Sequence, residues 1–287
     1  MGIPQKIFKP APFRLTFDIN LLILIGSDNS HGRIGDDDPL QDAPWYHHWF
    51  GADYLQLYQH RSSREAARTI AWLIGELHLS PPARVLDLAC GNGRHCQELV
   101  RRGFHTVGFD LSWPLLVEAQ TGEPTSPLQR IRGDMRHLPL KSAGFALVLS
   151  LFTSFGYFNS PEDDREVLRE VARVLQAGGT YVLDFLNSPL IQSQIVPTEE
   201  TALGGQKATI VRWLDETNQR IEKRILIHES DGAIREYRES VRLYSEEELR
   251  SALREVGIAV RSTFGDYDGS PLYAHSPRLI LIGRKDG

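Results

Sequence analysis

The stretch Val85-Leu86-Asp87-Leu88-Ala89-Cys90-Gly91-Asn92-Gly93 decides how the chain is read. Val85 to Ala89 is an apolar run of strand length, and it opens into a glycine-containing loop. A helix follows through Leu99-Val100 and ends at Gly103. This order lets backbone amides approach a ligand at a helix N-terminus. Asp87 narrows the chemistry of that ligand, because a carboxylate at a strand tip repels a pyrophosphate and attracts an ammonium group. A dinucleotide fingerprint does not fit either, since its third glycine falls on Cys96.

The alternation continues outward in both directions. Upstream, Ser62-Ser63-Arg64-Glu65 has the spacing of a capping box, and Ile70, Leu73, Ile74 and Leu77 follow at helical period, so a helix is predicted over about 63–78. Downstream, strands are predicted at 106–110, 128–132, 145–151 and 180–186. Helices are predicted from Trp113 to Gln120, and from Ser160-Pro161 to Leu175 ahead of a Gly178-Gly179 turn. Strands and helices at this spacing imply an α/β, doubly wound, mostly parallel seven-stranded sheet. Three extended segments, 208–213, 220–229 and 234–244, form an antiparallel β meander inserted after Asn187. A second capping box at Ser245 and two strands, 259–264 and 278–282, complete the sheet. Ligands on such sheets lie beyond the carboxyl ends of the strands.

Three carboxylates stand at three successive strand tips: Asp87, Asp110 and Asp134. Asp110 suits paired hydrogen bonds to ribose hydroxyls. Asp134, in Gly133-Asp134-Met135, suits an exocyclic amine, and the next backbone amide suits a ring nitrogen. Composition sets the outer bounds. With 32 Lys and Arg against 37 Asp and Glu, a net charge of −5 and 41% hydrophobic residues, the chain reads as an acidic globular protein. That balance disfavours duplex DNA or an anionic membrane as the main partner. Cys90 and Cys96 form no disulfide framework, and the apolar run 19–25 is too short to span a bilayer. Residues 1–43 read as a variable or partly disordered N-terminal extension, 44–287 as one domain, and the expected location is cytoplasmic.

These motifs, with Leu151 to Tyr157 and Arg173 to Gly179, resemble those of class I S-adenosylmethionine-dependent methyltransferases of the small-molecule type, over roughly Trp45 to Lys285. The resemblance implies a Rossmann-like fold with S-adenosyl-L-methionine as cofactor. It places Asp87 and the loop Ala89, Cys90, Gly91, Asn92 and Gly93 along the methionine moiety, with Ala89 where the family usually has glycine. It places Asp110 and Leu111 at the ribose, Asp134 and Met135 at the adenine, and Leu151 against the cofactor after the fourth strand. The segment 50–58 is similar to an N-terminal lid, which adds Tyr54, Tyr58 and Arg64 as candidate contacts. The expected activity is methyl transfer to nitrogen or oxygen of a small-molecule acceptor by a monomer or homodimer, with no nucleic acid, membrane or metal. An RNA or protein methyltransferase and a non-catalytic cofactor-binding protein are the alternatives. Topology puts Tyr157, Asp184, Asn187, Arg212, Tyr237, Arg238 and Tyr267 near the acceptor, with 188–244 as substrate cover. Tyr157 and His228 are the candidate catalytic groups; His228 and the pair His47-His48 read first as solvated or packed histidines and second as catalytic bases.

Overall fold

Parallel strands need helical crossovers and end up buried on both faces, so their sequences are apolar throughout. Strands β1 (Arg84–Leu88) and β4 (Phe145–Ser150) show this, with Val85, Leu86, Leu88, Val148 and Leu149 almost completely enclosed. They pair with each other in a seven-stranded sheet. Its other strands are β2 (His105–Asp110), β3 (Gln129–Arg132), β5 (Leu175–Phe185), β10 (Ile258–Phe264) and β11 (Leu279–Lys285). The order is β10-β11-β5-β4-β1-β2-β3, and β11 alone runs antiparallel to its neighbours. The order reverses between β1 and β4, where a crevice opens beyond the strand ends. This computed structural model describes residues 44–118 and 128–287. The expected extension over 1–43 and the end of the predicted helix at Gln120 lie outside them.

Local chemistry sets the helix boundaries. In α3 (Ser63–Leu77), the Ser62 hydroxyl accepts from the Glu65 amide at 3.2 Å. In α6 (Pro161–Val174), Ser160 caps, Pro161 opens, and Glu162, Asp163 and Asp164 complement the helix dipole. In α8 (Glu246–Glu255), Ser245 and Glu248 form the reciprocal box. Helices α4 (Arg94–Arg101) and α5 (Trp113–Glu118) follow the first two strands.

The segment after Asn187 departs from expectation in three ways. It begins with a short helix, α7 (Ser188–Gln194). It contains four antiparallel strands, β6 (Thr198–Leu203), β7 (Gln206–Asp215), β8 (Arg220–His228) and β9 (Ile234–Arg242), where three were predicted. The missed strand, Thr198-Glu199-Glu200-Thr201-Ala202-Leu203, is too polar to show an apolar alternation. Third, Leu203, Ala208, Ile210, Ile225 and Ile227 pack on Trp49 and on the tyrosines that precede α3. The partner of this sheet is therefore the segment holding α1 (Tyr46–Trp49) and α2 (Ala52–Leu57). The Gly178-Gly179 turn is also absorbed into β5, whose register with β4 shifts between Phe145 and Leu147.

Candidate active site

A cavity of about 210 Å³ opens at the carboxyl ends of β1, β2 and β4. Its floor is the loop after β1, where Ala89, Gly91 and Gly93 have φ of 59°, 58° and 73°. Left-handed backbone is nearly free for glycine, whereas at Ala89 it costs roughly 1–2 kcal/mol. That cost explains why glycine is usual there and why alanine is still tolerated. Ala89, Cys90, Gly91 and Asn92 line the cavity; Gly93 sits behind them as the residue preceding α4.

Asp110 lines the cavity from the tip of β2. Its two oxygens accept from the Gly91 and Ser112 amides at 2.8 and 2.7 Å, which ties the β1 loop to β2. Burial pushes its pKa up, and those amides partly offset the shift. Each oxygen has two acceptor positions, so a ribose hydroxyl pair can still be met. Leu111, Met135 and Asp134 form the adjoining wall. Both Asp134 oxygens are held by Arg136, at 3.1 and 2.6 Å. Burial opposes ionisation of Asp134, but the Arg136 hydrogen bonds prevail and hold it below the usual carboxylate range.

The opposite wall is aromatic and comes from the chain before α3. Tyr46, Phe50, Tyr54 and Tyr58 line it together with Tyr157 and Phe158, Phe50 packing on Tyr157 at 5.8 Å and Tyr46 on Phe158 at 5.5 Å between ring centroids. Phe50 meets Tyr54 with ring centroids 5.0 Å apart, and Tyr157 meets Trp45 at the same separation. Arg61 closes this wall, its guanidinium 4.1 Å from the Tyr58 ring centre and hydrogen-bonded to the Tyr54 hydroxyl at 2.8 Å. Among the described residues it makes no ion pair. Arg94 lies on the same side, paired with Glu65 at 3.2 Å and stacked over Phe152. Phe152 and Thr153 both adopt positive φ, so the loop after β4 turns left-handed as it enters the wall.

Several sequence expectations are corrected here. Asp87 does not line the cavity; it is 1% exposed and accepts from the Cys96 thiol at 3.2 Å. Burial pushes its pKa up to about 7. Arg64 is exposed on α3, and Arg61 stands at the cavity instead. His228 contacts Thr209 on the four-stranded sheet at 3.0 Å, away from the cavity, so it is no base for chemistry there. Tyr157 does line the wall, but burial lifts its pKa well above the usual 10, so it stays a neutral phenol at neutral pH.

The remaining acceptor candidates are structural ties. Asp184 accepts from Arg278, Tyr267 and the Phe152 amide, and so braces the wall from behind. Asn187 donates to the carbonyls of Tyr273, Ala274 and Ser276. Arg212 pairs with Glu199, Arg238 with Glu222, and the Tyr237 hydroxyl donates to Asp53. No cavity-lining residue comes from 188–244, so that insertion backs the aromatic wall and does not cover the cavity directly. His47 and His48 are exposed and lie off the cavity.

Sequence reasoning missed Arg61, Arg94, Phe152 and His95, all on the cavity wall. His95 is the second residue of α4, with its ring against Phe152. Burial and the charges of Arg94, Arg278 and Arg61 hold its pKa well below 6.5, and its Nε2 is enclosed without a partner among the described residues. The Arg-His pair directly after Gly93 was the available signal.

The residues fit S-adenosylmethionine. Arg61 is a half-buried guanidinium that makes no ion pair among the described residues, Asp110 has spare acceptor capacity, and Leu111 and Met135 offer apolar faces for a purine. A family model described as a methyltransferase domain matches residues 85–179. A dTDP-3-amino-3,6-dideoxy-alpha-D-glucopyranose N,N-dimethyltransferase of Streptomyces fradiae is 29% identical over 237 residues, covering 80% of this chain and 88% of that protein. Among solved structures, the CcbJ methyltransferase of Streptomyces caelestis superimposes with a TM-score of 0.71 at 18% identity, over 83% of this chain and 98% of that one. The sugar N-methyltransferase KedS8 of Streptoalloteichus does so with a TM-score of 0.63 at 21% identity, over 90% and 100%.

Proposed function

From the premise that this chain is a class I S-adenosylmethionine-dependent methyltransferase, we propose that it methylates the nitrogen of a small-molecule amine, an amino sugar in the first instance. The single observation that carries the choice of nitrogen is that, among the described residues, the acceptor side of the cavity offers no free strong base. Asp134 is committed to Arg136, His95 is held neutral and weakly basic, and Tyr157 keeps its proton. A hydroxyl acceptor needs a base in the transition state, whereas an amine that arrives neutral already offers a lone pair. The aminosugar acceptor named for the Streptomyces fradiae relative supports the same class.

The bound cofactor supplies a sulfonium methyl group open to in-line attack. Everything else falls to this chain. Asp110 is assigned to the ribose, Leu111, Asp134 and Met135 to the adenine, Arg61 to the methionine carboxylate, and the 89–92 loop to the methionine backbone. Phe50, Tyr54 and Tyr157 exclude water and align the amine, and alignment of this kind is worth about 7–11 kcal/mol. Their π-faces also favour the positive charge that moves from sulfur to nitrogen.

The test is release of S-adenosylhomocysteine across a panel of amines, phenols and carboxylates, with dTDP-3-amino-3,6-dideoxy-alpha-D-glucopyranose among the amines. Turnover confined to amines is expected. Turnover of phenols alone overturns the reading.

A further inference from the structure

Arg220 stands on β8, in the inserted sheet, and is 5% exposed. Enclosing a guanidinium is costly unless its donors are met. Three of its five hydrogen bonds go to one loop. Nη1 donates to the Phe158 carbonyl at 3.0 Å, and Nη2 reaches the carbonyls of Gly156 and Tyr157, both at 3.2 Å. The remaining bonds, Nε to the Ser240 hydroxyl at 2.6 Å and Nη2 to the Ser240 carbonyl at 2.8 Å, fix the fork to β9. The Ser240 hydroxyl in turn donates to Glu222, which places a counter-charge behind the fork.

The loop so gripped runs directly off the wall of the cavity. Its side chains at 157 and 158 line that wall. Gly156 has φ of 82°, and a Cβ there would meet the Arg242 carbonyl at 3.2 Å, so the loop is pressed against the inserted sheet. The Arg242 amide also donates to the Gly156 carbonyl at 2.8 Å. Three consecutive carbonyls all turned toward one side chain do not form a regular element. Without that side chain the Gly156 carbonyl keeps the Arg242 amide, but those of Tyr157 and Phe158 would need water in a closed space.

We infer that Arg220 is a positioning residue for methyl transfer, holding Tyr157 at the acceptor end of the cavity by clamping the carbonyls of residues 156–158. This gives the inserted sheet its role: it reaches the chemistry through the backbone of the loop after β4. The inference rests on the proposed amine methylation for its kinetic readout but not for its structural one.

The experiment uses the full chain with Arg220→Met, which keeps bulk and removes the donors, and Arg220→Lys, which keeps the charge and loses the fork. Amide hydrogen exchange over 155–159 is expected to quicken at least tenfold in both, while exchange in β1 and β4 stays within twofold. Calorimetry should give S-adenosylhomocysteine affinity within threefold of wild type. Transfer to the best amine of the panel should fall about 30-fold in kcat, and adding Tyr157→Ala to Arg220→Lys should cost little more than either change alone. Unchanged exchange over 155–159 in a folded variant overturns the inference, as does full additivity with Tyr157→Ala. If wild type turns over no amine, the functional reading fails while the exchange result still decides the clamp.

Discussion

Arg61 and Arg64 are three residues apart and differ in placement, because the start of α3 falls between them. Arg64 is the second residue of α3 and faces solvent, whereas Arg61 precedes the Ser62 cap, where the chain still follows the cavity wall. A charge-assisted hydrogen bond is worth about 1.5–3 kcal/mol, so Arg61→Ala should weaken S-adenosylhomocysteine binding roughly 10- to 150-fold. Arg64→Ala should leave it unchanged, and titration calorimetry on both variants checks the assignment. Asp87 makes a separate prediction. Buried Asp87 keeps its proton up to about pH 7, whereas an unfolded carboxyl loses its proton near pH 4. Between these values the folded state binds the extra proton, so stability from this group is present at low pH and lost as pH rises through the window. Urea unfolding at pH 5 and pH 7.5 should show wild type losing on the order of 2 kcal/mol more than Asp87→Asn over that interval. Parallel behaviour of the two proteins would refute it. Asp110 and Asp134 were legible as members of a set, since acids after successive strands converge on one crevice, and both line the cavity. Asp184 was not, since its partner Arg278 lies 94 residues further along the chain.

The elements that build the sheet announced themselves by period and by caps. The segment 50–58, marked as a lid by resemblance alone, did not, because α2 has six residues and no helix that short is stable alone. It is held from behind: Asp53 accepts from Arg235 and from the Tyr237 hydroxyl on β9. The Tyr58 hydroxyl, just past α2, joins Lys223 of β8 and Glu239 of β9. Burial lowers the Lys223 pKa while Glu239 opposes the shift, and Lys223 lies on the sheet face that packs against the tyrosines. A charged residue in an otherwise apolar alternation of isoleucines was visible in the sequence; its partners on the lid were not. Cutting the latch should loosen the lid without unfolding the sheet. Asp53→Ala is expected to speed S-adenosylhomocysteine dissociation about five- to tenfold in stopped flow, and to raise hydrogen exchange over 52–58. Exchange in β8 should stay as in wild type. Dissociation at the wild-type rate would show that α2 does not gate the cavity.

Across the whole molecule, two sheets share one task. The parallel sheet presents acids and left-handed loops at its strand ends, and the antiparallel sheet grips the lid through Asp53 and the post-β4 loop through Arg220. On the cavity wall, burial pushes Tyr157 far up and holds His95 far down, and Asp87, near 7, is enclosed off the cavity, so none of the three serves as a general base there. The pH dependence of catalysis must then come from the acceptor. An amine attacks only when neutral, so kcat/KM should rise with pH in proportion to the free-amine fraction and level off at the amine's own pKa. Two acceptors that differ by about one unit in amine pKa should give profiles displaced by that same unit, with the cofactor KM flat across the range. A protein-borne base would fix the inflection at one pH for every acceptor. Measuring both profiles separates these cases, because the first inflection moves with the substrate and the second stays with the enzyme.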